Sequence, residues 1–310
     1  MPRTKITRHL PKSRPHRVEW LTLGLFGLCI AVWAISVFVL YPIAPFVAMA
    51  LLALALVLHS SLSHEVLHGH PFPARWASEA LVHVNPGLFI PYLRFRDTHL
   101  AHHQDARLTD PYDDPESNYL DPNVWARLPG WRRRVLRANN TLLGRITLGP
   151  LIGQWAFMQT DMRLIRDGDR QVLVSWLVHL PGVVLVLWAV AMGPMPIWSY
   201  LLCCYVALSI LKIRTFLEHQ AHETTRGRTV IVEDRGILSF LFLNNNLHVV
   251  HHMHPRVPWY RLRALYEAKK QHYLRVNEGY SYASYKEVFA AHALSAKDPV
   301  AHPLWRNPAE

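Results

Sequence analysis

Acidic residues and cysteines are both scarce in this chain. Against 33 lysines and arginines stand 22 aspartates and glutamates, a formal net charge of +11 over 310 residues. The three cysteines, Cys29, Cys203 and Cys204, all sit inside apolar runs and make neither a disulfide framework nor a Cys-x-x-Cys metal site. A basic balance can signal nucleic acid, but no RNA-recognition, zinc-knuckle or helix-turn-helix pattern accompanies it. The basic residues instead flank apolar runs, which fits attraction to anionic lipid headgroups. Internal repeats and low-complexity segments are absent as well.

What the chain has in quantity is apolar sequence, 51% of it hydrophobic, and histidine, 20 residues. Length alone would permit two soluble domains. The apolar residues are concentrated in four runs, however, and these predict an all-α integral membrane protein. The first run, Trp20 to Leu40, is about 30 Å long as a helix and longer than the core of a secretory signal peptide. Pro42 and Pro45 break it in a turn without charge, and a second run, 46–62, returns and delivers His64. The third, 172–192, is separated by the Gly193-Pro194-Met195-Pro196 turn from the fourth, 197–213, which delivers His219. The expected organisation is a basic cytosolic segment over 1–19 and one membrane domain over 20–310. Two weaker amphipathic stretches, Trp76 to Leu93 and Leu142 to Met158, read as re-entrant or interfacial helices.

Positive charge near span ends marks the cytoplasmic side. The basic N-terminus, with Arg3, Lys5, Arg8, Lys12, Arg14 and Arg17, and the segments Arg127 to Arg137 and Arg256 to Arg275 should all lie there. Four spans place them on one side together. Every histidine cluster then falls on that same side, which the charge argument did not require.

The first cluster is His64-Glu65-Val66-Leu67-His68-Gly69-His70, in which His64 and His68 share a helix face. His99-Leu100-Ala101-His102-His103 and His248-Val249-Val250-His251-His252 repeat one HxxHH spacing, and His219 and His222 follow the fourth span. A lone histidine such as His59, His83 or His179 reads as a packing residue. Convergent neutral imidazoles suit iron, zinc, copper or nickel, and eight cluster ligands exceed what one ion needs. Two metals are implied. Residues 64–68 also fit HExxH, the pattern of zinc peptidases with Glu65 as general base. A zinc site needs only one further protein ligand and a water, so that alternative leaves two clusters unexplained. A non-enzymatic metal transporter would place ionisable residues along a transmembrane path, and here they sit at helix ends.

The three boxes, His64-xxx-His68, His99-xx-His102-His103 and His248-xx-His251-His252, in this order and spacing between spans, resemble the membrane fatty acid desaturase superfamily. That superfamily also holds acyl hydroxylases and carotenoid ketolases and hydroxylases. The resemblance covers roughly Leu51 to Arg263 and includes the Asp110-Pro111 and Asp114-Pro115-Glu116 run after the second box. It implies four transmembrane helices under a cytosolic helical cap, with a di-iron centre using O2 and electrons from an external ferredoxin- or cytochrome-type donor. The implied ligands are His64, His68, His99, His102, His103, His248, His251 and His252. His219 resembles a further ligand; His222 competes for that role, and His70 is an additional candidate. Asn244, Asn245 or Asn246 could hold a metal-bound water. Glu65, Asp97, Glu218 and Glu223 are candidates to orient the imidazoles, and Arg94, Arg96 and Arg261 to meet a headgroup or an acidic donor. The ending His252-Met253-His254-Pro255-Arg256-Val257-Pro258-Trp259 is similar to that of bacterial desaturase-like proteins and carotenoid ketolases. A His-Pro-Gly-Gly haem motif is missing, so no cytochrome b5 is fused. A lipid substrate in a bacterial inner membrane is the implied setting, with acyl desaturation as the reaction and hydroxylation or ketone formation as the alternative.

Overall fold

The computed structural model describes residues 17–103 and 105–305. Arg3, Lys5, Arg8, Lys12 and Arg14 lie outside them. Among the described residues four helices are long and apolar enough to cross a membrane: Trp20–Leu40, Pro45–Leu67, Arg170–Ala191 and Ile197–Thr215. Helices satisfy every backbone group internally, which lipid demands. The first changes to a π-helical turn over Ile35–Leu40. Pro45 begins the second, where its missing N–H costs no hydrogen bond. The Asp169 carboxylate caps the third by accepting from Gln171 N at 3.0 Å and Val172 N at 3.1 Å. A side chain at Gly193, in the turn between the last two spans, would meet the Phe38 ring within 2.9 Å.

Expectation and structure differ at the second span. The helix continues beyond residue 62 to Leu67, so His64 lies within it and His68 caps it. The polar residues Ser61, Ser63, His64 and Glu65 are buried in protein, not in lipid, and so do not end the helix. Gly69, at φ +107°, then turns the chain in a conformation that favours glycine.

The stretch from 76 to 93 is a short helix, Arg75–Ala80, an irregular loop, and the start of the helix Tyr92–His102. The loop inserts between spans, and its carbonyls are satisfied by side chains sent from other helices. Tyr200 Oη donates to Pro86 O and His179 Nε2 to Leu88 O, both at 2.6 Å, and Gln154 Nε2 donates to Phe89 O at 2.8 Å. These partners explain two otherwise awkward polar residues inside spans, His179 and Tyr200. The stretch from 142 to 158 divides into Leu142–Thr147 and Gly149–Arg166. The longer helix turns Leu151, Trp155, Met158 and Met162 outward, as an interfacial helix does.

Residues after the fourth span form a cap with its own small core of Ile231, Leu247, Val249, Val250, Leu262, Tyr266 and Tyr273. Its helices include His248–Met253, Trp259–Ala268, Lys270–Val276 and Tyr285–His292. Residues Ile231–Val232 and Ser281–Tyr282 pair as a two-residue parallel ribbon, a small departure from an all-helical chain. Glu19 N donates to Pro71 O at 3.0 Å, so the first span begins at the end where the second one stops. Gln171 bonds Asp97, and Trp259 N bonds Glu65, so the third span and the cap meet at that end too.

Candidate metal centre

Four elements deliver histidines to one place. The second span supplies His64 and His68, and the helix Tyr92–His102 supplies His99 and His102 with His103 at its cap. The short helix His248–Met253 supplies His248, His251 and His252. His219 comes from non-helical chain just after the fourth span, where it forms an antiparallel bridge with Thr229. The rings fall into two groups, His64, His68, His99, His103 and His251 in one, and His102, His219, His248 and His252 in the other. Within each group the ligand nitrogens all lie within 4.8 Å of one another. The His103 and His252 rings stack at 4.3 Å where the groups adjoin.

The ring nitrogens are closer than repulsion between unprotonated imidazoles would favour. His99 Nε2 lies 3.0 Å from His64 Nε2 and 2.9 Å from His103 Nε2, and His251 Nε2 lies 3.1 Å from that of His103. In the other group His219 Nε2 lies 2.9 Å from His102 Nε2 and 3.1 Å from His248 Nε2. Buried His68 Nε2 has no hydrogen-bond partner. Lone pairs aimed at a common centre, with one orphaned, fit a cation between them, and an all-imidazole donor set suits a transition metal. The two groups are able to hold metal.

The far sides of the rings are held by other groups. His99 Nδ1 donates to Glu116 Oε1 at 3.0 Å, and His102 Nδ1 to Asp114 Oδ1 at 2.7 Å. His248 Nδ1 donates to Asn245 Oδ1 at 3.1 Å, and Asn245 Nδ2 in turn to Glu218 Oε1 at 3.3 Å. Such partners fix the tautomer and aim the lone pair inward. Burial and neighbouring rings hold His68, His103, His219, His248 and His251 well below the ordinary imidazole value, leaving neutral donors at pH 7. His102 differs. Burial pushes it down, but the Glu116 charge and the Asp114 hydrogen bond outweigh this and bring it up to about 9.

Several residues singled out in the sequence lie apart from the two groups. His70 Nδ1 donates to Glu19 Oε1 at 2.7 Å, and His222 meets Thr224 and lies 3.7 Å from Glu278. Between His219 and His222, only His219 joins a group. Glu65 accepts from Trp259 N at 3.0 Å, a contact of the cap and not of the clustered rings. Asp97 is taken up by Arg96 and Gln171, and Glu223 is exposed. Glu218 does approach the site, 3.8 Å from His248 Nδ1. The three asparagines separate cleanly: Asn244 bonds Trp259 O, Asn246 bonds Val232 O, and Asn245 stands behind His248. Arg94 forms a buried bidentate pair with Asp161, Arg96 bonds Glu79 and Asp97, and Arg261 lies over the Tyr260 ring. Asp114 and Glu116 were visible only as an acidic run after the second box, and Thr229, 3.3 Å from His219 Nδ1, gave no signal at all.

An apolar cavity approaches the first group. Leu56, Leu208, Leu211, Phe89 and Ile90 line it, with Ser60, Ser63 and Asn85 as polar points and Phe95 on the side of the histidines. The Phe95 ring lies 5.8 Å from His99 and 6.5 Å from His64.

Among curated proteins, none matches the chain significantly. The fatty acid desaturase family model matches residues 36–284. That stretch takes in all nine clustered histidines, all of the second to fourth spans and most of the cap, so the chain belongs to the fatty acid desaturase family, an enzyme family, and carries a histidine metal site.

Proposed function

We propose that this chain is an O2-dependent di-iron oxidoreductase that oxidises C–H bonds of a lipid chain, with fatty acyl desaturation as its reaction. The observation that carries the reading is the cavity ending on Phe95, which packs against His64 and His99. An acyl chain lying there would present methylene groups to the five-histidine group in a space shielded from water. Overall, a –CH2–CH2– unit becomes –CH=CH– while O2, two external electrons and two protons become two waters. Two irons, when bound, supply the oxidising power for an unactivated C–H bond that no side chain has. The nine clustered histidines would hold them. Glu116, Asp114 and Asn245 keep the Nδ1 protons of His99, His102 and His248 on the outer side, so each Nε2 lone pair stays directed inward. Phe95 and Leu211 confine the chain, and the absence of a charged lining favours a hydrocarbon there.

Hydroxylation or ketone formation on a lipid or carotenoid is the second reading, favoured by the 252–259 ending. The peptidase reading is weakened by Glu65, whose carboxylate serves Trp259 N. The arginines of 127–137 and 256–275 support a cytoplasmic placement of the histidine end in a bacterial inner membrane, facing a ferredoxin- or cytochrome-type donor.

Purified protein should contain about two irons per chain. His102→Ala and His251→Ala should each lose iron and activity together, and cells carrying the gene should gain an unsaturated acyl chain in their lipid profile. A preparation holding one zinc and cleaving a peptide would sink the reading. A hydroxylated lipid or altered carotenoid would select the second one.

A further inference from the structure

His219 is held differently on its outer side from two other rings of the four-histidine group. His102 and His248 are held there by Asp114 and Asn245, whereas His219 Nδ1 meets the Thr229 hydroxyl at 3.3 Å. Its backbone is not helical, since the fourth span ends at Thr215. An antiparallel bridge to Thr229 holds one side through bonds at Glu218 and Gln220, and the His219 carbonyl is left to a partner on the other side, while the ring lies within 3.1 Å of two others.

The chain around it is clamped from the far end of the protein. Lys297 Nζ donates to the carbonyl of His219 itself and, at 3.2 Å, to Tyr280 Oη. Tyr280 Oη donates to Leu217 O at 2.7 Å, two residues before the histidine. Two residues after it, Ala221 N donates to Tyr119 Oη at 2.8 Å, and Tyr119 Oη donates to Asp298. The Lys297 side chain is 9% exposed and lies 3.1 Å from the Asp298 carboxylate, which balances its charge. A buried ammonium spends its donors on few partners, and each such charge-assisted bond is stronger than a neutral one. Lys297 and Asp298 also lie beyond residue 284, outside the stretch that the family model matches.

The geometry points to Lys297 as a positioning residue of the four-histidine group, holding the His219 backbone so that its ring reaches the ion. This rests on the two-metal reading above. Loss of an outer partner of a metal ligand typically costs about 10- to 100-fold in metal affinity. The test is a titration of metal-free full-length protein in detergent with Co(II), read by bound metal per chain and by the visible spectrum, for wild type, Lys297→Met and Lys297→Arg. The expected result is two ions in wild type. Lys297→Met should keep one ion at wild-type affinity and bind the other about 10-fold more weakly or worse, with Lys297→Arg recovering part of that loss. Lys297→Met binding both ions as wild type does would overturn the proposal. So would equal weakening of both ions, or unfolding of Lys297→Met and Lys297→Arg alike, since either makes the contact purely structural. Fewer than two ions in wild type would overturn the two-metal reading itself, and that failure shows before any variant is made.

Discussion

Four of the five imidazoles in the first group, His64, His68, His99 and His103, ride on the ends of two helices, the second span and Tyr92–His102. The second group takes His219 from a non-helical segment bridged to Thr229 and aims His102 and His248 through Asp114 and Asn245. Both groups use helices and polar partners, Glu116 standing behind His99 in the first, but only the second depends on a histidine from non-helical chain, held by contacts distant in sequence. The two ions should therefore respond to different substitutions, although the rings of the two groups touch.

The largest effect that sharpens this contrast is expected where the helix Tyr92–His102 is anchored. Arg94 and Asp161 form a buried pair, and Trp176 Nε1 adds a bond to Asp161 at 2.9 Å. Asp161→Ala leaves a buried guanidinium without its partner and should cost about 3–5 kcal/mol, seen as a large fall in thermal midpoint and a loss of both ions. A variant of unchanged stability would break the idea that packing of this helix holds the first group. Next comes Asp114→Asn, expected to weaken the ion of the four-histidine group by about 10- to 100-fold while sparing the other. Equal weakening in a metal titration would mean that the groups act as one unit. The smallest effect is reserved for the membrane interior. Tyr200→Phe removes the bond to Pro86 O and the one from Trp33 Nε1, and should lower stability by about 1–3 kcal/mol with metal content unchanged. Iron lost from that variant would show that the inserted loop shapes the metal site directly.

Much of this was readable from the residues. Long apolar runs are a one-dimensional signal, and they placed the four spans to within a few positions. The HxxxH and HxxHH spacings work because one helical turn brings i, i+3 and i+4 together, so the boxes could be found without any tertiary knowledge. The second span was read as too short because Ser61, Ser63, His64 and Glu65 are polar, and hydropathy cannot tell a polar residue in lipid from one buried against protein. Partners across long separations left less trace. Glu65 and Asp97 sit beside histidines in sequence yet turn to Trp259 and Arg96, whereas Glu116 reaches back 17 residues to His99. The division of nine histidines between two groups, with His102 parted from its neighbours His99 and His103, depends on which side of one helix each ring leaves.

Lys297 follows His219 by 78 residues and is separated from it by the entire cap. During synthesis all four spans and all nine clustered histidines emerge from the ribosome before that lysine does. With Lys297 as the positioning residue proposed above, the five-histidine group is complete while the chain is still growing, and the four-histidine group waits for residue 297. The expected consequence is an order of maturation, a nascent protein stalled before residue 297 binding metal at the five-histidine group ahead of the other.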